Sequence, residues 1–294
     1  MCIRDRYKMP KTSLNANVGG ARRFVAQSWD MARVRAVCRS LDATLNDVVL
    51  AMSAGALRAY LLSRNELPRK SLKAGAPVSL REEGDLESAN AIGFIIADLA
   101  THVRDPEKRL RAIQRSMNAG KDLLSGMSPR ESALFAQITQ VPAMIPTLLG
   151  LGDQLPSYNV VISNVPGPRQ PLYWNGASLD GIYPVNIVLD GFALSITLVS
   201  YNDSLDFGIV ACRQSVPGMQ RLIDYLEESL VELEEIAGIA AKPGRGRAGT
   251  ARKRKTATKP APKADAGKRS GSKAKAKPGG AGKRVPAASR RKKN

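Results

Sequence analysis

The stretch Ile162-Ser163-Asn164-Val165-Pro166-Gly167-Pro168 follows a β-like run, Tyr158 to Ile162, and closes it with two prolines around a glycine. Proline fixes φ and has no N–H to give a ladder, while glycine admits backbone geometry that a Cβ forbids. The segment reads as a stiff turn holding a hydroxyl, Ser163, and an amide, Asn164, in a nearly fixed pose at a strand end. Such a polar pair suits a pocket wall. It equally suits an ordinary turn whose side chains satisfy its own backbone, so both readings stay open until the flanks are read.

Beyond that turn the apolar pattern changes to period two. Phe192 to Tyr201 and Leu205 to Cys212 flank Asn202-Asp203-Ser204, which signals a hairpin. Pro217 then introduces an amphipathic helix with Leu222, Ile223, Leu226, Leu230 and Leu233 inward. Glu227, Glu228, Glu232, Glu234 and Glu235 are expected outward, and the leucine stripe reads as core before it reads as a membrane face.

Upstream, Arg22 to Met31 has a strand-like centre and Ala32 to Ser40 a helical one. Thr44 is a good N-cap and Asp47 lies three residues on, close to a capping box that opens an apolar helix of about 18 residues. Ala76 to Leu80 and Ile92 to Leu99 read as buried strands around a charged loop, Arg81 to Asp85. Asp105-Pro106-Glu107 opens a helix with Leu110, Ile113 and Met117 inward and Arg109, Arg111 and Arg115 outward. Another helix is expected from Ser128, kinked or broken by Pro142 and Pro146. Mixed helices and strands with late antiparallel pairing define an α+β class: a layered domain built on a mixed sheet.

The charge is unevenly spread. Of 45 Lys/Arg and 26 Asp/Glu, which give a net +19, residues 241–294 hold 20 basic residues and one acid, Asp265. The remainder is neutral. Residues 239–294, rich in Ala, Lys, Pro, Gly and Arg without any aromatic residue, are expected to be disordered. Three scattered cysteines, Cys2, Cys38 and Cys212, form neither a disulfide framework nor a metal cluster. They suit a reducing compartment, so the expected setting is cytoplasmic. No apolar run approaches the ~20 residues of a membrane span, so membrane contact is expected to be peripheral. Met1 to Arg6 has no signal-peptide core and resembles translated adapter sequence, which makes residues 1–12 a non-native or truncated junction and the chain a fragment.

Several stretches stand in the order found in the bacterial wax ester synthase/diacylglycerol acyltransferase family. Ser13-Leu14-Asn15 with Arg22-Arg23-Phe24 resembles its interdomain segment, and Ala43 to Ala51 its Asn-Asp motif at Asn46 and Asp47. Ala76 to Arg81 and Asn90 to Gly93 resemble its following strands, and Ser163 to Pro168 its Asn-Val-Pro-Gly-Pro motif. Pro171-Leu172-Tyr173, Gly176-Ala177 and Ser200-Tyr201 continue the match, which runs from about Ser13 to Gly238.

The resemblance implies a coenzyme-A-dependent, chloramphenicol-acetyltransferase-like fold of two lobes around a channel, residues 13–238 forming the C-terminal lobe. It implies transfer of a fatty acyl group from acyl-CoA to diacylglycerol or a long-chain alcohol, giving triacylglycerol or wax ester. Catalysis in that family rests on His-His-x-x-x-Asp-Gly in the N-terminal lobe. This chain has one histidine, His102, outside any such motif, so it carries no catalytic residue of that kind and is expected to need its N-terminal lobe for activity.

Ser163 and Asn164 are the candidates for binding substrate or the thioester oxyanion. Asn46, Asp47, Val165, Pro166, Gly167 and Pro168 are expected to shape or brace the channel, with helix-start bonding the plainer reading of Asn46 and Asp47. His102 reads as a surface histidine. No metal or redox cofactor is indicated; coenzyme A enters as part of the substrate. The basic tail has three readings: a nucleic-acid binder, an adhesive for the inner membrane or lipid droplets, or a solubilising extension. The competing functional reading is a non-catalytic acyltransferase-like binding protein tethered to nucleic acid or anionic membrane by that tail.

Overall fold

The computed structural model describes residues 9–79, 92–127 and 156–239, with separate positions between 131 and 154. The expected Arg81–Asp85 loop, the Asn90-Ala91 match, most of the helix from Ser128 and the basic tail lie outside the described residues. The chain divides into two units, Met1–Gly249 and Thr250–Asn294, and every described residue belongs to the first.

Among the described residues eight strands and four longer helices carry the fold. In chain order they are β1 (Arg22–Asp30), α1 (Met31–Ser40), α2 (Leu45–Ser63), β2 (Lys73–Ser79), β3 (Ile92–Asp98) and α3 (Pro106–Ser125). Then come β4 (Val160–Pro166), β5 (Tyr173–Trp174), β6 (Ala177–Ser178), β7 (Leu194–Tyr201), β8 (Ser204–Cys212) and α4 (Arg221–Ile236). Six strands form one mixed sheet in the order β1-β8-β7-β4-β2-β3, and β5-β6 form a small separate hairpin. Only the β7–β4 and β4–β2 pairs are parallel.

Alternate strand residues, such as Ile162 of β4, Ile196 and Leu198 of β7 and Phe207 and Ile209 of β8, enter one core with the helices. Period two sends the intervening residues to the opposite face. There residues 182–187 run back across the sheet: the Ile182 N–H donates to Asp206 Oδ2 at 2.7 Å, and Tyr183 shares a 2.9 Å hydrogen bond with Ser28 of β1.

Helix α2 is the hub of the helical layer. Thr44 and Asp47 form the expected capping box, with Thr44 Oγ1 donating to Asp47 Oδ2 at 2.6 Å and the Asp47 N–H donating back to Thr44 Oγ1 at 3.2 Å. Contrary to the sequence expectation, this helix of 19 residues is long and apolar enough to cross a membrane. Its residues from Asp47 to Leu57 are all buried, so it is a core helix. Gly55 lets α3 and α4 approach it, since a Cβ there would meet the Ser229 hydroxyl.

Two outward assignments are corrected by this packing. Arg109, expected on the outer face of α3, is 2% exposed. It reaches Glu232 Oε2 at 3.0 Å, and burial pulls its pKa below the usual guanidinium value against the opposing pull of Glu232. Glu234, expected in water, is also 2% exposed. It takes a bidentate pair of bonds from Arg33 of α1, each 2.8 Å long, and Glu227 Oε2 accepts from both Arg33 and the Trp29 indole N–H. A helical period of 3.6 gives the side of each residue but not which sides have a neighbour, and here charged flanks meet charged flanks between packed helices.

Two buried asparagines tie the strand starts together. Asn159 Oδ1 accepts the Lys73 N–H at 2.8 Å, while its Nδ2 donates to Asn15 Oδ1 and to the Pro10 carbonyl, both at 2.7 Å. Asn15 Nδ2 donates to the carbonyls of Tyr158 and Gly191, each at 3.0 Å. Replacing Asn159 with Ala removes a partner from the buried Asn15 Oδ1 and from the half-buried Lys73 N–H and Pro10 carbonyl, and we expect a loss of about 1–3 kcal/mol in chemical denaturation, the usual cost of an orphaned buried group.

Burial pushes the phenols of Tyr60 and Tyr158 up to about 12. Unfolded tyrosines ionise near pH ~10, so between there and pH ~12 the unfolded chain holds fewer protons and stability falls as pH rises. Absorbance titration of the native protein should show two tyrosines ionising about two pH units late, together with a declining melting temperature in that window.

Candidate functional site

The segment that opened the sequence reading is a strand for most of its length. β4 continues through Pro166, so Ser163 and Asn164 sit inside a strand paired with β7, opposite Thr197 and Leu198. Consecutive strand residues point to opposite faces. Val160 and Ile162 enter the helical core, which puts Asn164 on that face and Ser163 on the other with Val161 and Val165. The hydroxyl and the amide therefore do not converge. Both are half-buried, and neither side chain has a hydrogen-bond partner among the described residues. The self-satisfied turn is not what forms.

Gly167 is required by a close approach rather than by an unusual φ. A Cβ there would run into the Ser200 carbonyl oxygen and lie 2.7 Å from Val199 Cγ1. The Gly167 N–H donates to Ser200 Oγ at 3.3 Å, and the Asn202 N–H to the Pro168 carbonyl at 2.9 Å. The Pro-Gly-Pro segment is thus strapped to the end of β7.

Among the described residues the other edge of β4 is open beyond its first two rungs. Its ladder with β2 has two rungs, Ala74–Val160 and Gly75–Val161, after which the register stops although both strands run on. The result is a fork with Ala76–Ser79 on one side and Ile162–Pro166 on the other. Pro77 and Pro166, which carry no N–H, lie on strands flanking this gap, where proline is tolerated.

The non-helical face beside the fork is polar near Ser163 and apolar further out. Asn186 Nδ2 donates to Ser195 Oγ at 3.1 Å and to Thr197 Oγ1 at 3.4 Å, and Thr197 is the register neighbour of Ser163. Tyr158 packs between Phe94 and Phe192, with ring centroids 5.4 and 4.4 Å away. Val165, Tyr183, Val185 and Ile187 are exposed, and on the β5–β6 hairpin Trp174 is 85% exposed. So much exposed apolar surface marks an interaction face.

Asn46 and Asp47 are not joined to Ser163 or Asn164 by any described hydrogen bond. Asp47 caps α2, and its Oδ1 is buried without a partner among the described residues. His102 is exposed, beside β2 and β3, and belongs to a different cleft. Among the described residues no group of three His, Cys, Asp or Glu side chains could hold a metal ion.

Asn159 and the β5–β6 hairpin were not among the residues expected to matter. The hairpin had a signal: Asn175-Gly176 adopts φ of 49° and 83°, the pairing that two-residue turns favour. Asn159 had none, because an asparagine at a strand start looks like any turn residue.

A six-stranded mixed sheet with helices on one face and an open fork defines one lobe of the chloramphenicol-acetyltransferase-like, coenzyme-A-dependent acyltransferase fold. The EpoB cyclization-docking bidomain of Sorangium cellulosum shares that fold at TM-score 0.50 and 14% identity, over 81% of this chain and 47% of that one. A wax ester synthase/diacylglycerol acyltransferase from Marinobacter aquaeolei VT8 superposes with a TM-score of 0.71 at 44% identity, covering 80% of this chain and 56% of that chain.

The WS/DGAT C-terminal domain model matches residues 88–234, and the wax ester synthase/diacylglycerol acyltransferase catalytic domain model matches residues 3–49. The chain belongs to the wax ester synthase/diacylglycerol acyltransferase family. A Mycobacterium tuberculosis protein named for diacylglycerol O-acyltransferase activity is 52% identical over 79% of this chain and 52% of its own length. The O-acyltransferase WSD of Acinetobacter baylyi is 46% identical over 80% of this chain and 51% of its own length. The chain spans about half the length of these curated relatives.

Gly167→Ala should weaken the β4–β7 strap, because the new Cβ meets backbone that cannot rotate away. We expect a loss of about 1–3 kcal/mol, the usual cost of overpacking, read as a lower melting temperature with helix content unchanged.

Proposed function

We propose that this chain is the C-terminal lobe of an O-acyltransferase that moves a fatty acyl group from acyl-CoA to diacylglycerol or a long-chain alcohol. The observation that carries the reading is the Ser163 hydroxyl, without a partner among the described residues, fixed on a strapped strand at the mouth of the fork on the face with exposed apolar residues. That apolar face is where the N-terminal lobe of the whole enzyme docks, so the fork and Ser163 become one wall of an enclosed channel. The family membership and the names of the relatives support the same reaction.

In this reading the attacking hydroxyl loses its proton to a histidine of the N-terminal lobe, because this chain holds no His-His-x-x-x-Asp-Gly motif. The thioester carbonyl gains negative charge as the alcohol oxygen adds to it. Ser163 Oγ–H is a donor whose place is set by the β4–β7 ladder, and a preorganised donor aimed at developing charge stabilises the transition state more than the ground state. Collapse of the adduct re-forms the carbonyl, makes the ester and breaks the C–S bond, and the departing sulfur of coenzyme A takes back the proton held by that histidine. Asn164 faces the helical side of the same strand and takes no part in this step. The enzyme works in the cytoplasm at a membrane or lipid-droplet surface, and the basic segment 241–294 suits that setting through its attraction to anionic headgroups.

Joined to an N-terminal lobe of this family, the chain should transfer acyl groups from acyl-CoA. Ser163→Ala should lower kcat by about a hundredfold, the usual size of one lost oxyanion donor, with an unchanged melting temperature. A kcat that stays at the parent value would remove Ser163 from the chemistry.

A further inference from the structure

Between the start of β2, the end of β3 and one face of α3 lies an open cleft of about 1280 Å³, away from the Ser163 end of β4. Its lining is strongly cationic: Arg69, Lys70, Lys73, Lys108, Arg111 and Arg115. Two acids oppose them, Asp98 and Glu107, so four positive charges remain in excess. Asp98 is already engaged, its Oδ2 2.6 Å from Lys73 Nζ. Burial alone would raise its pKa, but the bonds from Lys73, Ser71 and the Ala100 N–H outweigh that and hold the carboxyl below its usual range. Lys108 lies 3.9 Å from Asp105, and Arg111 donates to the Leu41 carbonyl at 3.0 Å and to Gln114 Oε1 at 3.1 Å. Arg69, Lys70 and Arg115 have no partner among the described residues, and neither has His102 at the rim.

The helix wall is shaped to leave room. At the cleft-facing positions of α3 stand Ala112, Ser116, Ala119 and Gly120, small residues at i, i+4, i+7 and i+8. Gly120 lets α3 pack against β3, where a Cβ would lie 2.5 Å from Ile95 Cγ2. A floor of small residues under a ring of cations concentrates positive potential in a concave space, and unfilled guanidinium and ammonium donors match phosphate oxygens.

We propose that this cleft is a binding site for phosphate-ester anions, sized and charged for a ligand with several phosphate groups. The proposal rests on the acyltransferase reading for its main ligand, the 3′-phosphorylated adenosine diphosphate end of the acyl-CoA donor. An anionic phospholipid headgroup offers the same chemistry from the acceptor side.

The test uses the full chain and the double substitution Lys70→Gln/Arg115→Gln, both at exposed positions. Arg39→Gln, on α1 outside the cleft, is the control, and the basic tail is common to all three proteins. Calorimetric titration with 3′,5′-ADP should give an affinity that falls at least about tenfold in the double variant and is unchanged in the control. Flotation with phosphatidylglycerol vesicles, run in parallel, separates the sources. Loss of vesicle binding alone assigns the cleft to headgroups, and loss of nucleotide binding alone assigns it to coenzyme A. If both ligands bind the double variant as they bind the parent, or neither binds the parent, the cleft is not a phosphate site. That failure leaves acyl transfer by the two-lobe enzyme intact, whereas failure of the acyltransferase reading would abolish transfer while phosphate binding persisted.

Discussion

Two buried side-chain amides determine where the central parallel strand begins. Asn15 and Asn159 exchange a 2.7 Å hydrogen bond and between them satisfy backbone groups of Pro10, Lys73, Tyr158 and Gly191. Those groups belong to the N-terminal segment and to the entries of β2, β4 and β7. In a sheet a slip of one residue turns every side chain to the wrong face. Parallel strands have no tight hairpin to set their register, and β4 has parallel neighbours on both sides. The amide pair supplies the reference that a turn supplies elsewhere.

With that end fixed, the opposite end of β4 is free to specialise. The two rungs to β2 and the strap around Gly167 leave a strand whose far half is bonded on one edge only, yet held stiffly. The half-buried hydroxyl of Ser163 is therefore held in place by its strand, without a partner among the described residues.

Much of this was legible beforehand, and the reasons are specific. The capping box at Thr44 and Asp47, the β7–β8 hairpin and the leucine stripe of α4 rest on local chemistry, which sequence displays directly. The family resemblance came from the order of several weak motifs rather than from any one of them. Arg109 and Glu234 were misplaced because amphipathic patterning ranks faces by polarity, and a buried ion pair inverts that rank. The Ser163–Asn164 pair was expected in a turn at a strand end because two prolines follow it closely, whereas the strand runs through the first of them. Within a strand, adjacency in sequence means separation in space.

The fork also makes the sheet mechanically two ribbons. One blade is β1-β8-β7-β4 and the other is β2-β3, joined within the sheet by two rungs at one end. A pair of blades pivoted near one end can open at the other without breaking a rung. Slot width is then a soft coordinate, while the position of Ser163 on the longer blade stays constant.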